Sequence, residues 1–168
     1  MQQMPAPAPD GFIEAAIQDV IVRDLRKFTD SRGWLTELFR RDEVAPEFSP
    51  AMAYISSTLP GVTRGPHEHV DQADIFYFLG PSDFTLRMWD NRRDSSTYRH
   101  RMTLLVGASA PKSVLIPQGV VHAYQNVGSV DGIVINCPNR LYMGDGRGES
   151  VDEIRYEDDP HTVFTMND

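Results

Sequence analysis

Residues 61–80 read GVTRGPHEHVDQADIFYFLG, and the fold class turns on them. The segment lies between Gly61 and Gly80 and closes on Ile75-Phe76-Tyr77-Phe78, a run of β-favouring side chains. His67 and His69 stand two residues apart within it, and the alternation of a strand points both to one face of a sheet. A third histidine, His122, comes much later, in PQGVVHAYQN at residues 117–126. If the strands between these segments form one sandwich, the three imidazoles converge inside it. The expectation is an all-β sandwich or barrel with a polar, histidine-lined interior.

The rest of the chain agrees with that class. Val20-Ile21-Val22 within Asp19–Arg23 reads as a first strand. A turn over Asp30–Gly33 leads into a second strand, Trp34–Phe39, and Met52–Leu59 offers a third. Phe84-Thr85-Leu86-Arg87-Met88-Trp89 alternates, with Phe84, Leu86 and Met88 on one face. Asp90–Thr97 reads as a capped polar turn. Met102–Val106, Ser113–Ile116, Val121–Gln125 and Gly132–Asn136 are further short strands, and the acidic tail from Gly144 reads as loop. Many short strands at close spacing, with no long 3.6-residue period, call for a sandwich or barrel. Residues 1–10, MQQMPAPAPD, read as a loose arm and 11–168 as one domain.

Composition excludes several function classes. The 168 residues suit one domain with a core of its own. A net charge of −8 with no basic block argues against a nucleic-acid partner, yet leaves room for local arginines to hold an anionic small ligand. The lone Cys137 makes no internal disulfide. No apolar run reaches membrane-spanning length, and the N-terminus lacks the pattern of a secretory signal. The expected location is the cytoplasm, away from membranes.

Gly61, His67, His69, Asp74 and Gly80 resemble the first motif of the cupins, with aspartate at the usual glutamate. Pro117, Gly119, His122 and Asn126 resemble the second. From about Phe28 to Pro160 the chain is similar to one cupin family, the dTDP-4-dehydrorhamnose 3,5-epimerases. Asp30, Arg32, Gly33 and Glu37 match its DxRGxFxE, and Gly61, Arg64, Gly65 and His67 its GVxRGxH. Asp90, Arg92, Ser95 and Thr97 match DxRxxSxT, and Asp159-Pro160 the DP near the family's C-terminal end. The resemblance implies a jelly-roll homodimer, free of cofactors, that binds a nucleotide-diphosphate sugar. It implies a general-base role for His67, oriented by Asp159, with Arg32 and Arg64 on the diphosphate and sugar, Arg32 reaching in from the neighbouring subunit. Glu37 and Gln72 fall at substrate-binding positions of the matched motifs. Two positions depart from the family. Asp74 stands where the family has a lysine, and the family's tyrosine aligns near Ile135, with Tyr142 the nearest tyrosine in sequence. RGPHEHVDQ also resembles, over a shorter stretch, the RGxHAHxxxxQ segment of the nucleotide-sugar 3,4-ketoisomerases.

The same residues carry a chemical argument of their own. Abstracting a proton next to a ketone needs a base near neutral pKa, an acid on the far side, and a donor or cation at the developing enolate. Histidine, at about 6.5, is the natural base. His67 takes that role, and His69, His122 and Arg64 are the available enolate stabilisers. Tyr54, Tyr77, Tyr124 and Tyr142 are candidate acids, Tyr142 being preferred. Arg32 and Arg64 suit a bidentate diphosphate clamp; the blander reading of Arg32 is a surface ion pair with Glu37 or Asp30. A competing reading gives His67, His69, His122 and Asp74 to a divalent metal, making a metal-dependent dioxygenase or isomerase. A non-catalytic cupin that only binds the sugar nucleotide is the remaining alternative. The expected activity is epimerisation of a nucleotide-linked 4-keto-6-deoxyhexose for deoxysugar or polysaccharide biosynthesis.

Overall fold

A computed structural model describes residues 11–167; the expected arm, residues 1–10, lies outside them. The chain forms two facing sheets. One runs β1 (Ile13–Glu14), β9 (His100–Gly107), β8 (Asp83–Asp90), β11 (Val120–Asn126), β6 (Thr63–Glu68), β13 (Ile154–Arg155). The other runs β2 (Ile21–Asp24), β10 (Lys112–Ile116), β7 (Asp74–Phe78), β12 (Gly132–Asn136), β5 (Tyr54–Thr58). A separate hairpin pairs β3 (Phe28–Asp30) with β4 (Gly33–Leu35). The expected all-β sandwich is what forms. No helix among the described residues is long and apolar enough to cross a membrane.

Alternation along each strand builds the core between the sheets. Phe84, Leu86 and Met88 of β8 point inward, as the sequence pattern indicated, and meet Phe76 and Phe78 of β7, Val114 and Ile116 of β10, and Val134 of β12. Phe78, Phe84 and Tyr124 pack with ring centroids 5.6 Å apart for each pair, Tyr124 edge to face with both phenylalanines. Gly132 is required here, since a Cβ at that position would sit 2.2 Å from the tip of the Phe84 ring.

Both outer faces are also covered, which is why the strands read as nearly continuous apolar runs. Trp89, Val121 and Ala123 lie under Phe12 and the C-terminal Phe164. Ile75, Tyr77, Leu115 and Cys137 lie under Leu25, Leu38, Val44 and Phe48. This covering task explains one difference from the sequence reading. The second strand stops at Leu35, and residues 36–39 leave the hairpin so that Leu38 can pack on the outer face. The first strand likewise begins at Ile21 rather than Asp19, whose φ of 66° is a turn conformation. The acidic tail is mostly loop but contains β13, paired with β6. The 90–97 segment is a capped turn, with buried Asp90 accepting from Arg92 Nε (2.9 Å), Ser95 Oγ (2.6 Å) and Thr97 Oγ1 (2.6 Å).

With all three faces packed, one end of the sandwich remains open as a cleft of about 700 Å³. Phe84→Ala, by deleting the centre of the aromatic stack, should lower unfolding free energy by about 3–5 kcal/mol. Urea denaturation followed by fluorescence measures it.

Candidate active site

His122 alternates inward on β11, between Val120 and Tyr124, while Val121 and Ala123 face out. His67 reaches the same face because of a bulge. Tyr124 pairs with Arg64 and His122 with His67, so Gly65 and Pro66 together oppose Ala123 alone. In an unbulged ladder His67 would stand opposite Val121 and turn outward. Gly65 makes the bulge possible: its φ is +81°, and a Cβ there would lie 2.6 Å from the carbonyl oxygen of His122. His69 follows two residues after His67, as the spacing implied. The three imidazoles meet, with His67 and His122 at 4.5 Å between centroids and His67 and His69 at 5.6 Å.

The opposite sheet supplies the carboxylate. Asp74, 1% exposed, starts β7. Its Oδ1 accepts from Asn136 Nδ2 at 2.9 Å and from Gln72 Nε2 at 3.0 Å. Its Oδ2 lies 3.1 Å from His69 Nε2 and 3.6 Å from His122 Nε2. His69 Nδ1 donates to the Asp152 carbonyl, and the Asp152 carboxylate accepts the backbone N–H groups of Val70 (2.8 Å) and Asp71 (2.9 Å). His122 Nδ1 donates to the Val120 carbonyl at 3.1 Å, which turns Nε2 toward the cluster as an acceptor. The tail therefore clamps the histidine turn from outside while Asp74 holds it from inside.

These contacts set the charges. Burial, then the neighbouring His122 and His69, bring His67 down to about 2, so it rests neutral. Burial also lowers His122. For His69, burial pulls the same way but is outweighed by the hydrogen bond and charge of Asp74, which hold it up at about 9. Asp74 is the mirror case: burial would raise it, and His69 overrides that to hold it below the usual carboxylate range. Neutral His67 thus sits beside a His69 imidazolium that is neutralised by Asp74.

The remaining expected residues divide. Arg64 lines the cleft, with Nε on Thr58 Oγ1 (2.9 Å) and Nη2 on the Ser57 carbonyl (2.7 Å). Gln72 and Tyr142 line it too, Tyr142 at the mouth and half exposed. Asp159 does not orient His67. It is exposed and accepts the His161 backbone N–H in a surface turn. The carboxylate facing His67 is Glu153, with Oε1 3.6 Å from Nδ1 and both side chains largely buried. Arg155, from β13, holds Glu153 at 3.0 Å. Nor does this chain bring Arg32 to its own cleft: Arg32 Nη2 pairs with Asp30 at 2.6 Å on the exposed hairpin. Glu37 lies 3.7 Å from Arg40 and lines a different, smaller cavity of about 210 Å³ under the 36–48 segment. Sequence reasoning missed Glu153 and Asp152, for no local pattern marks them.

As to metal, one nitrogen from each of His67, His69 and His122 lies within 4.8 Å of the others. Among the described residues the buried His122 Nε2 has no hydrogen-bond partner, and Asp74 Oδ2 beside it is paired with His69. Three imidazoles and a carboxylate are a suitable donor set for a divalent ion.

The pH dependence of stability follows from the histidines. His69 holds its proton more tightly when folded, so its contribution is complete below pH 6.5 and is lost as pH rises toward about 9. His67 and His122 resist protonation when folded, so stability falls as pH drops below 6.5, their ordinary value. Melting temperature followed by circular dichroism should peak near pH 6.5. In Asp74→Asn the decline on the alkaline side should flatten.

The comparisons with known proteins agree with this geometry. The family model described as dTDP-4-dehydrorhamnose 3,5-epimerase matches residues 14–159. A probable low-salt glycan biosynthesis epimerase, Agl13 of Haloferax volcanii, is 37% identical over 127 residues, 75% of this chain and 81% of that protein. The spore coat polysaccharide biosynthesis protein SpsL of Bacillus subtilis is 33% identical over 153 residues, 90% of this chain and 97% of that one. Among solved structures, a dTDP sugar isomerase from Desulfovibrio desulfuricans superposes with a TM-score of 0.73 at 20% identity, covering 88% of this chain and 92% of the other. A dTDP-4-dehydrorhamnose 3,5-epimerase from Bacillus anthracis, crystallised with TDP and pyrophosphate, gives 0.69 at 21%, covering 86% and 82%. These likenesses establish the jelly-roll fold, and the sequence matches go further: the chain belongs to the dTDP-4-dehydrorhamnose 3,5-epimerase family, an isomerase family.

Proposed function

We propose that this enzyme epimerises a nucleotide-diphosphate-linked 4-keto-6-deoxyhexose at a carbon next to the ketone, in deoxysugar or polysaccharide biosynthesis. One observation carries the reading. A neutral imidazole, His67, opens into a cleft of about 700 Å³ with its Nδ1 facing the Glu153 carboxylate. A carboxylate 3.6 Å from Nδ1 favours the tautomer that leaves Nε2 as the basic nitrogen, and it favours the imidazolium once it forms. His67 rests neutral, the form that can accept a proton.

The positive charge that an enolate oxygen needs comes from His69 and Arg64. Asp74 stands where the family has lysine, yet it is not a free negative charge in the cleft, because His69, Gln72 and Asn136 surround it. Arg64 at the rim suits the diphosphate or the sugar. The curated relatives named for glycan and spore-coat polysaccharide biosynthesis support that setting. Structural neighbours crystallised with dTDP-4-keto-L-rhamnose and dTDP-D-xylose support a sugar nucleotide as ligand. Arg32, exposed on the hairpin, fits a homodimer in which it serves the partner's cleft. No cofactor is invoked, since moving a proton to and from carbon needs only a base, an acid and a charge.

Incubation with a 4-keto-6-deoxyhexose linked to dTDP, UDP or GDP in D2O should wash deuterium into the carbon next to the ketone. His67→Ala should reduce that exchange on the order of 10²–10⁴-fold, and Glu153→Gln should do so with KM little changed. Exchange undiminished in His67→Ala means that the base lies elsewhere.

A second reading is favoured by the buried His122 Nε2, unpartnered among the described residues, which a divalent ion would satisfy together with His67, His69 and Asp74 Oδ2. Elemental analysis of untagged protein purified without chelator separates the two. The epimerase reading expects well under one metal per chain and exchange that survives chelator. One metal per chain, lost in His69→Ala, means the metal reading.

A further inference from the structure

Inverting a carbon takes two groups, one to remove the proton and one to return it from the opposite face. The base sits on the six-stranded sheet, so the acid has to come from the sheet across the cleft or from its mouth. The family's tyrosine aligns near Ile135, but β12 turns that side chain outward. Ile135 pairs with Ile55, which is 67% exposed, and packs on the outer face. The inward residues of that sheet edge are Asn136 and, directly opposite it in register on β5, Tyr54.

We infer that Tyr54 is the catalytic acid that returns the proton, a role transferred from β12 to the neighbouring strand; the inference rests on the epimerase reading. Asn136 Nδ2 donates to the Tyr54 hydroxyl at 2.8 Å and to Asp74 Oδ1 at 2.9 Å. The Tyr54 oxygen is thus the acceptor in its bond to Asn136, and its own hydrogen remains available to the cleft that Tyr54 lines. The same amide ties the phenol to the carboxylate that anchors His69. Base and acid stand on facing sheets, His67 on β6 and Tyr54 on β5, with the open end of the sandwich between them.

The other tyrosines fit less well. The Tyr124 hydroxyl lies 3.4 Å from Ser56 Oγ, with its ring buried among Phe76, Phe78 and Phe84 at the floor. Tyr156 donates to Glu68 at 2.6 Å away from the cleft. Tyr77 is buried in the outer cluster with Leu115. Tyr142 is as exposed as Tyr54 (50% against 47%), but it stands on the loop after β12 and not on a strand of the sheet facing His67.

The step balances without a co-reactant. His67 Nε2 takes the proton from the carbon next to the ketone, and the C–H electron pair becomes the enolate double bond as the carbonyl oxygen gains charge. The Tyr54 O–H then delivers its proton to the same carbon from the other face, and the ketone reforms. Solvent takes the proton from the imidazolium and returns one to the tyrosinate. Burial raises the Tyr54 phenol to about 12, which keeps it protonated while it waits.

The test is Tyr54→Phe, assayed in D2O with the same three sugar nucleotides. Deuterium should still enter recovered substrate with unchanged configuration, because His67 is intact, while inverted product falls on the order of 10²-fold or more. Inversion unaffected by Tyr54→Phe, or exchange and inversion lost to the same extent in a variant with wild-type melting behaviour, overturns the assignment. Fluorinated tyrosine at position 54, being more acidic, should move the alkaline limb of the product-formation profile to lower pH, and an unmoved limb also overturns it. Absence of exchange by the unsubstituted enzyme with all three nucleotides is a different result: it sinks the epimerase reading itself.

Discussion

A carboxylate with 1% of its surface exposed has to be neutralised, and Asp74 determines much of what surrounds it. His69 gives the opposite charge, and Gln72 and Asn136 satisfy the other oxygen. His69 in turn requires an acceptor for Nδ1, which the Asp152 carbonyl provides, and this draws the C-terminal tail across β6. Once the tail is there, Glu153 is beside His67. His67 acquires its neighbouring carboxylate as a consequence of burying a different one.

The two sheets contribute unlike chemistry because of where each is anchored. The six-stranded sheet brings His67 and His122 together by a bulge, a local change of register that costs a few ladder bonds and returns a re-aimed side chain. The five-stranded sheet contributes Asp74, Asn136 and Tyr54 without irregularity, by plain alternation on β7, β12 and β5. Apolar packing closes the sandwich everywhere except the end where these side chains meet, and there the polar groups substitute for a core. An arrangement of this kind keeps donors and acceptors fixed before a substrate arrives, so little reorganisation is needed during reaction.

How far the sequence could be read depended on whether a feature was local. Alternation of Phe84, Leu86 and Met88 follows from strand geometry alone and indicated the buried face correctly. The two-residue spacing of His67 and His69 did the same for the site. Partners joined across long separations were not legible. Asp159 was expected beside His67 on the strength of a motif near the C-terminus, and Glu153 stands there instead because β13 pairs with β6 in a register that no residue pattern in the tail announces. Ile135 and Tyr142 drew attention to β12 and its following loop, whereas the inward hydroxyl is on β5, more than seventy residues earlier and adjacent only through the sheet.

The sequence by itself determined the all-β class, the inward faces of the core strands, and the convergence of three histidines, since each depends on the period of a strand and on side-chain polarity. Only the tertiary structure decided which carboxylate faces His67, which histidine carries charge, and which tyrosines line the cleft. Those outcomes depend on register between strands distant in sequence and on burial. A one-residue slip reverses the face that a side chain presents, and a bonded carboxylate at one buried imidazole but not another moves identical rings to opposite protonation states.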